Sequence, residues 1–160
     1  MSIPKHNNLT DIEDDRAFTC GEIWKIRDEL VSLLPGDRVS GIRETFHRCR
    51  TVVILQNTDE NSDPTYPIIR VAPLTSTVEF KTAFDILLEP SDGVNKECML
   101  SVQLAQPILK KDLFECVGSI SDDKLYEMLA LESYIIGLDD MSDSSEEIAS
   151  DTEPNTDLNT

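Results

Sequence analysis

Between residues 21 and 120 the apolar residues gather in short segments of five to eight residues, many of them β-branched, with turn-forming residues between the segments. Sustained helical spacing begins only after Ser121. Runs of this length and composition suit strands, so this stretch is expected to fold as a sheet built by pairing distant segments. Six strands are expected: residues 21–26 (GEIWKI), 50–57 (RTVVILQN), 68–74 (IIRVAPL), 84–88, 98–104 and 113–120. The second, apolar at successive positions, reads as buried on both faces. In the fifth, Leu100, Val102 and Leu104 alternate with Ser101 and Gln103, as on a half-buried strand. Pro73 has no N–H to give a ladder, so it places the end of the third strand at an edge or bulge. Trp24, the only tryptophan, is expected to anchor packing. The connection from 27 to 49 is long and irregular, with a short helix expected over 28–34 and a Pro35-Gly36-Asp37 turn.

One helix follows. Ser121 suits its N-cap, Asp122 and Asp123 suit the positive end of its dipole, and Gly137 suits the position just beyond its C-terminus. Leu125, Met128, Leu129, Ile135 and Ile136 form its apolar stripe. Short strands closed by one amphipathic helix predict a mainly β fold with α, a small barrel carrying a C-terminal helix. That domain is expected over residues 19–138, between a disordered polar N-terminus (1–18) and a disordered acidic tail (139–160).

Charge sharpens the division. The chain carries a net charge of −17, yet residues 139–160 hold eight acids and no base. An acidic total is hostile to nucleic acid, but distribution decides the local potential. Within the domain Arg43, His47, Arg48 and Arg50 cluster, interrupted by Glu44 alone among charges. Cys20, Cys49, Cys98 and Cys116 are dispersed, with no C-x-x-C pair. They read as small buried hydrophobes in a reducing compartment, with no metal or other cofactor expected. There is no apolar run long enough for a membrane span and no apolar leader near Met1, which predicts a cytoplasmic protein.

Four pieces in order resemble the MazF/PemK (CcdB-like) toxins of type II toxin–antitoxin modules. They are Gly21-Glu-Ile-Trp24; Arg50-Thr-Val-Val-Ile-Leu-Gln-Asn57; Ile69-Arg-Val-Ala-Pro-Leu-Thr-Ser76; and a final set from Ser101 through Lys111-Asp-Leu113 and Val117-Gly-Ser-Ile-Ser121 to the helix ending Ile136-Gly-Leu138. The resemblance implies a compact β-barrel homodimer, an antitoxin protein as partner, and metal-independent endoribonuclease activity on single-stranded RNA such as mRNA. It also implies a catalytic pair, an arginine opening the second strand and a threonine closing the third: Arg50 and Thr75, with Ser76 beside them. Thr51 stands where the family has proline, and Gln106-Pro107-Ile108-Leu109 lacks the arginine of the family's Q-I-R-T.

The residue types suit that chemistry. When RNA's own 2′-OH attacks the phosphorus, extra negative charge develops on a phosphorane, which a guanidinium fork matches well. A threonine hydroxyl can hold a phosphate oxygen or orient the 2′-OH. His47 is the candidate acid–base group, because imidazoles titrate near neutrality. Arg43, Arg48 and Ser76 are candidates for RNA binding. The acidic tail reads first as a solubilising segment; the alternative is that, tethered beside a basic groove at high effective concentration, it mimics RNA there. Two other readings stay open: a catalytically weak or inactive member of the fold that binds and regulates proteins, and a CcdB-like poison with a protein target.

Overall fold

The computed structural model describes residues 3–43 and 45–138. Its seven strands are β1 (Glu22–Ile26), β2 (Arg50–Ile54), β3 (Ile68–Thr75), β4 (Asp85–Leu88), β5 (Cys98–Ser101), β6 (Gln106–Leu109) and β7 (Leu113–Ser119). A four-residue helix, α1 (Thr58–Asn61), joins β2 to β3, and α2 (Asp122–Ile135) follows β7. All pairings are antiparallel, in the order β4-β5-β3-β2-β1-β7, with β6 on β3.

The expected barrel does not close. β3 pairs with β2 along one edge but divides its other edge between two strands. Ile68 to Val71 face β6, and Leu74 and Thr75 face β5. Pro73, which offers no N–H, falls at that division. The sheet therefore branches, and its end strands β4 and β7 do not pair with each other. β6 was not anticipated. It is four residues long and carries Pro107, tolerated because β3 is its only strand partner among the described residues. The fifth strand is shorter than expected, since Val102–Leu104 turn into a 3-10 helix.

β2 is buried on both faces, as its composition predicts. Val53 and Leu55 join a core with Ile23, Ala72, Leu100 and Met128. Val52 and Ile54 join a second with Phe18, Trp24, Ile26 and Val71. Each such side chain contributes about 1.5–3 kcal/mol through apolar burial. α2 covers the first core with Leu125, Met128, Leu131 and Ile135. Leu129 and Ile136, expected in its stripe, face solvent. Gly137 follows the helix with φ +78, the left-handed geometry expected there. Ser121 precedes α2, but its hydroxyl donates to Asp92 Oδ1 rather than capping the helix.

The N-terminal segment also departs from expectation. Residues 14–18 lie against the domain, while residues 3–10 are exposed: Phe18 is fully buried beside Trp24, with ring centroids 4.8 Å apart. Arg16 donates to the carbonyls of Leu113 (2.6 Å) and Lys110 (2.8 Å) and to buried Asp14. An apolar anchor flanked by paired charges suffices to dock a polar segment. Of the cysteines, Cys98 is buried and Cys20 and Cys49 are half-buried, whereas Cys116 is exposed on β7. The expected helix at 28–34 is a single 3-10 turn, Asp28–Leu30. The acidic tail lies outside the described residues.

Candidate functional site

The register of β2 on β3 pairs Ile54 with Val71, Val53 with Ala72 and Val52 with Pro73. Continued toward the start of β2, it sets Arg50 across from Thr75. Opposed residues on antiparallel strands point to the same face, so the two side chains share one side of the sheet. The Arg50 Nη1 donates to the Leu74 carbonyl at 2.9 Å, tying the end of one strand to the other. Both residues line a cleft of about 420 Å³, together with His47, Ser76, Cys49 and Lys96.

Arg50 is held by a residue that the strand pattern does not reveal. Asp28, fully buried just after β1, accepts from Arg50 Nε at 2.7 Å, from Arg43 Nη2 at 2.8 Å and from the His47 amide at 2.9 Å. Burial pushes the Asp28 carboxyl up. The Arg50 bond, the His47 amide and the two guanidinium charges outweigh it and hold the group below the ordinary carboxylate range. Asp28 and Leu74 thus occupy Nε and Nη1 of Arg50, while Nη2 has no partner among the described residues. A guanidinium anchored through Nε and Nη1 is held in orientation, with Nη2 left to meet an anion.

Thr75 is half-buried, and its Oγ1 accepts a 3.4 Å bond from the Thr77 amide, leaving the hydroxyl proton available. Ser76 is exposed beside it. His47 is anchored through its backbone, with its side chain exposed. Lys96, absent from the sequence reading, is exposed at the cleft with no partner among the described residues. Its position depends on Gly93, whose φ is +98 and where a Cβ would lie 2.0 Å from the Ser119 carbonyl oxygen. Only glycine lets the 90–96 segment approach the end of β7 so closely.

The basic cluster divides. Arg43 turns inward, its side chain 8% exposed, and donates to Val31 O (2.8 Å), Asp28 and Asp37. Its guanidinium also lies 4.8 Å from the Phe46 ring centroid. Arg43 is therefore a clamp on the β1–β2 connection and does not line the cleft with Arg50. Arg48 is exposed and lines an adjoining cavity of about 790 Å³.

The architecture has known counterparts. By sequence the chain matches no family model and no curated protein. In three dimensions it is similar to a mycobacterial endoribonuclease solved with its cognate antitoxin (TM-score 0.56, 15% identity, covering 76% of this chain and 97% of that one). It is likewise similar to MazF from the MazE–MazF structure of Deinococcus radiodurans (TM-score 0.55, 14% identity, 77% and 98%). A structure of Deinococcus radiodurans MazF matches too (TM-score 0.53, 17% identity, 77% and 99%). The chain thus has the fold of the MazF endoribonuclease toxins, spanning nearly their whole length.

Proposed function

We propose that the protein is a MazF-type endoribonuclease toxin that cleaves single-stranded RNA at the cleft between β2 and β3. The observation that carries this reading is Arg50, locked by Asp28 with Nη2 unpartnered, across from Thr75 in an open cleft on this fold. In the proposed reaction the 2′-OH attacks the adjacent phosphorus. The new O2′–P bond replaces the P–O5′ bond, leaving a 2′,3′-cyclic phosphate and a 5′-OH. Arg50, with Lys96 nearby, balances the phosphorane charge. Thr75 and Ser76 hold a phosphate oxygen or the 2′-OH. His47 takes up the 2′-OH proton, and the leaving O5′ takes its proton from solvent water.

The side chains provide the positive charge this pathway needs, so no metal is assigned a role in it. The protein partners in this reading are an antitoxin and a second copy of the chain, in the cytoplasm. The exposed Tyr126 and Tyr134 on α2, Ile136 just after it, and the edge of β7 that has no strand partner among the described residues give them apolar and backbone surface.

The alternative is a catalytically inactive member of the fold that binds proteins, favoured by the loss of Arg43 to an internal clamp. Long single-stranded RNA incubated with the full chain in EDTA separates the two. Cleavage by the wild type that is lost in Arg50→Ala and Thr75→Val supports the nuclease. RNA left intact by the wild type overturns it.

A further inference from the structure

The second cavity, about 790 Å³, adjoins the cleft of Arg50 and Thr75 and shares two wall residues with it, His47 and Cys49. Its composition differs. Two phenylalanines stand in it half-exposed, Phe46 at 51% and Phe114 at 53%. They come from separate elements, the end of the β1–β2 connection and the start of β7, so the fold rather than sequence proximity brings them together. The Arg43 guanidinium 4.8 Å from the centroid of Phe46 steadies that ring.

The charges in this cavity are also biased. Lys25 is bonded to Glu115 at 2.7 Å, and Arg27 to Glu29. Arg48 is left as a cation with no partner among the described residues. Exposed aromatic faces beside an unpaired guanidinium form the combination that single-stranded nucleic acid uses, with bases stacking on rings while phosphates meet the cation. A polymer whose phosphodiester lies at Arg50 and passes His47 and Cys49 enters this cavity next.

We propose that the Phe46–Phe114 cavity is a base-stacking subsite for a nucleotide flanking the cleaved bond, with Arg48 on its phosphate. The subsite rests on the RNA-cleavage reading for its substrate class. It is not read from hydrogen bonds to base edges, so stacking there tolerates any base.

The test uses the full chain, a mixed-sequence single-stranded RNA 12-mer and an abasic ribose-phosphate oligomer of the same length, both labelled, in EDTA at low salt. Binding is followed by fluorescence anisotropy, cleavage is followed separately on gels, and thermal melting confirms folding. The wild type is expected to bind the RNA at least about tenfold more tightly than the abasic oligomer. Phe46→Ala with Phe114→Ala should remove most of that preference, and Phe46→Leu with Phe114→Leu serves if the alanine pair fails to fold. Arg48→Ala should weaken both oligomers alike and leave the ratio unchanged.

A base preference that survives loss of both rings overturns the subsite. So does a change of oligomeric state on ring removal without loss of that preference, which would make the patch a protein interface. Failure of the wild type to bind either oligomer overturns the subsite and the RNA reading together. Base-dependent, ring-dependent binding without any cleavage would leave a stacking site for single-stranded RNA and overturn both the nuclease and the subsite's place beside a cleaved bond.

Discussion

Two corners of this molecule bury a charge, and they do so in opposite ways. At one, Asp28 accepts from Arg50, Arg43 and the His47 amide, and Arg50 keeps a donor, Nη2, that has no partner among the described residues. Arg50 lines an open cleft. At the other, fully buried Lys110 donates to the carbonyls of Asp63 (2.9 Å) and Glu60 (3.3 Å), with Tyr66 beside it and Arg16 on its own carbonyl. Burial lowers the Lys110 pKa, partly offset by Asp63 and Asp14. Neither of the two cavities reaches Lys110. Burial of charge therefore does not mark a site by itself. What distinguishes the Asp28 corner is a donor left over on Arg50, a residue that lines an open cleft.

The sharpest way to separate the corners is to remove that donor. Arg50→Ala is expected to lower RNA cleavage at least about a hundredfold, near 3 kcal/mol of transition-state stabilisation, measured as single-turnover rates on one RNA. Asp28→Asn comes next. It deprives two guanidiniums of their shared carboxylate, and urea unfolding should show a loss of about 3 kcal/mol, with slower cleavage. The acid limb follows the sign of the shift. The folded Asp28 pKa is depressed, so its contribution is complete at neutral pH and is lost as pH falls below the ordinary carboxylate range. Unfolding curves from pH 6 to 2 should be flatter for Asp28→Asn than for the wild type.

Lys110→Met is expected to cost about 2 kcal/mol, because two carbonyls lose their donor, while the cleavage rate per folded molecule stays at the wild-type value. A rate loss there would erase the contrast between the corners. Tyr66→Leu should have the smallest effect, about 0.5 kcal/mol by urea titration, from an ammonium 5.9 Å from the ring centroid.

The contrast also explains what could be read in advance. Arg50 and Thr75 were legible only through the resemblance, which implies an arginine opening the second strand and a threonine closing the third; the β2–β3 ladder, from Ile54–Val71 to Val52–Pro73, then brings those two ends near each other. Asp28 was not. Its partners lie 15 to 22 residues away, in an irregular connection and at the start of β2, and nothing local separates it from any turn aspartate. For the same reason Arg43 read as a surface cation: a cluster of like charges says nothing about which member finds a buried acid. β6 escaped because Gln106–Leu109 takes its strand character from pairing with β3, not from its own composition. Barrel closure was unreadable, since it depends on whether β4 and β7 meet, which no local pattern encodes. Gly93 was the available pointer to Lys96, a glycine before a polar turn at the start of a buried strand.

The most direct measurement places a single 2′-deoxynucleotide at a mapped cleavage position in an otherwise unchanged RNA, with EDTA present. If Arg50 and Thr75 serve attack by the substrate's own hydroxyl, that one bond stays intact while its neighbours are cut to 5′-OH ends. Scission at the deoxy position, or fragments bearing 5′-phosphates, would contradict the account.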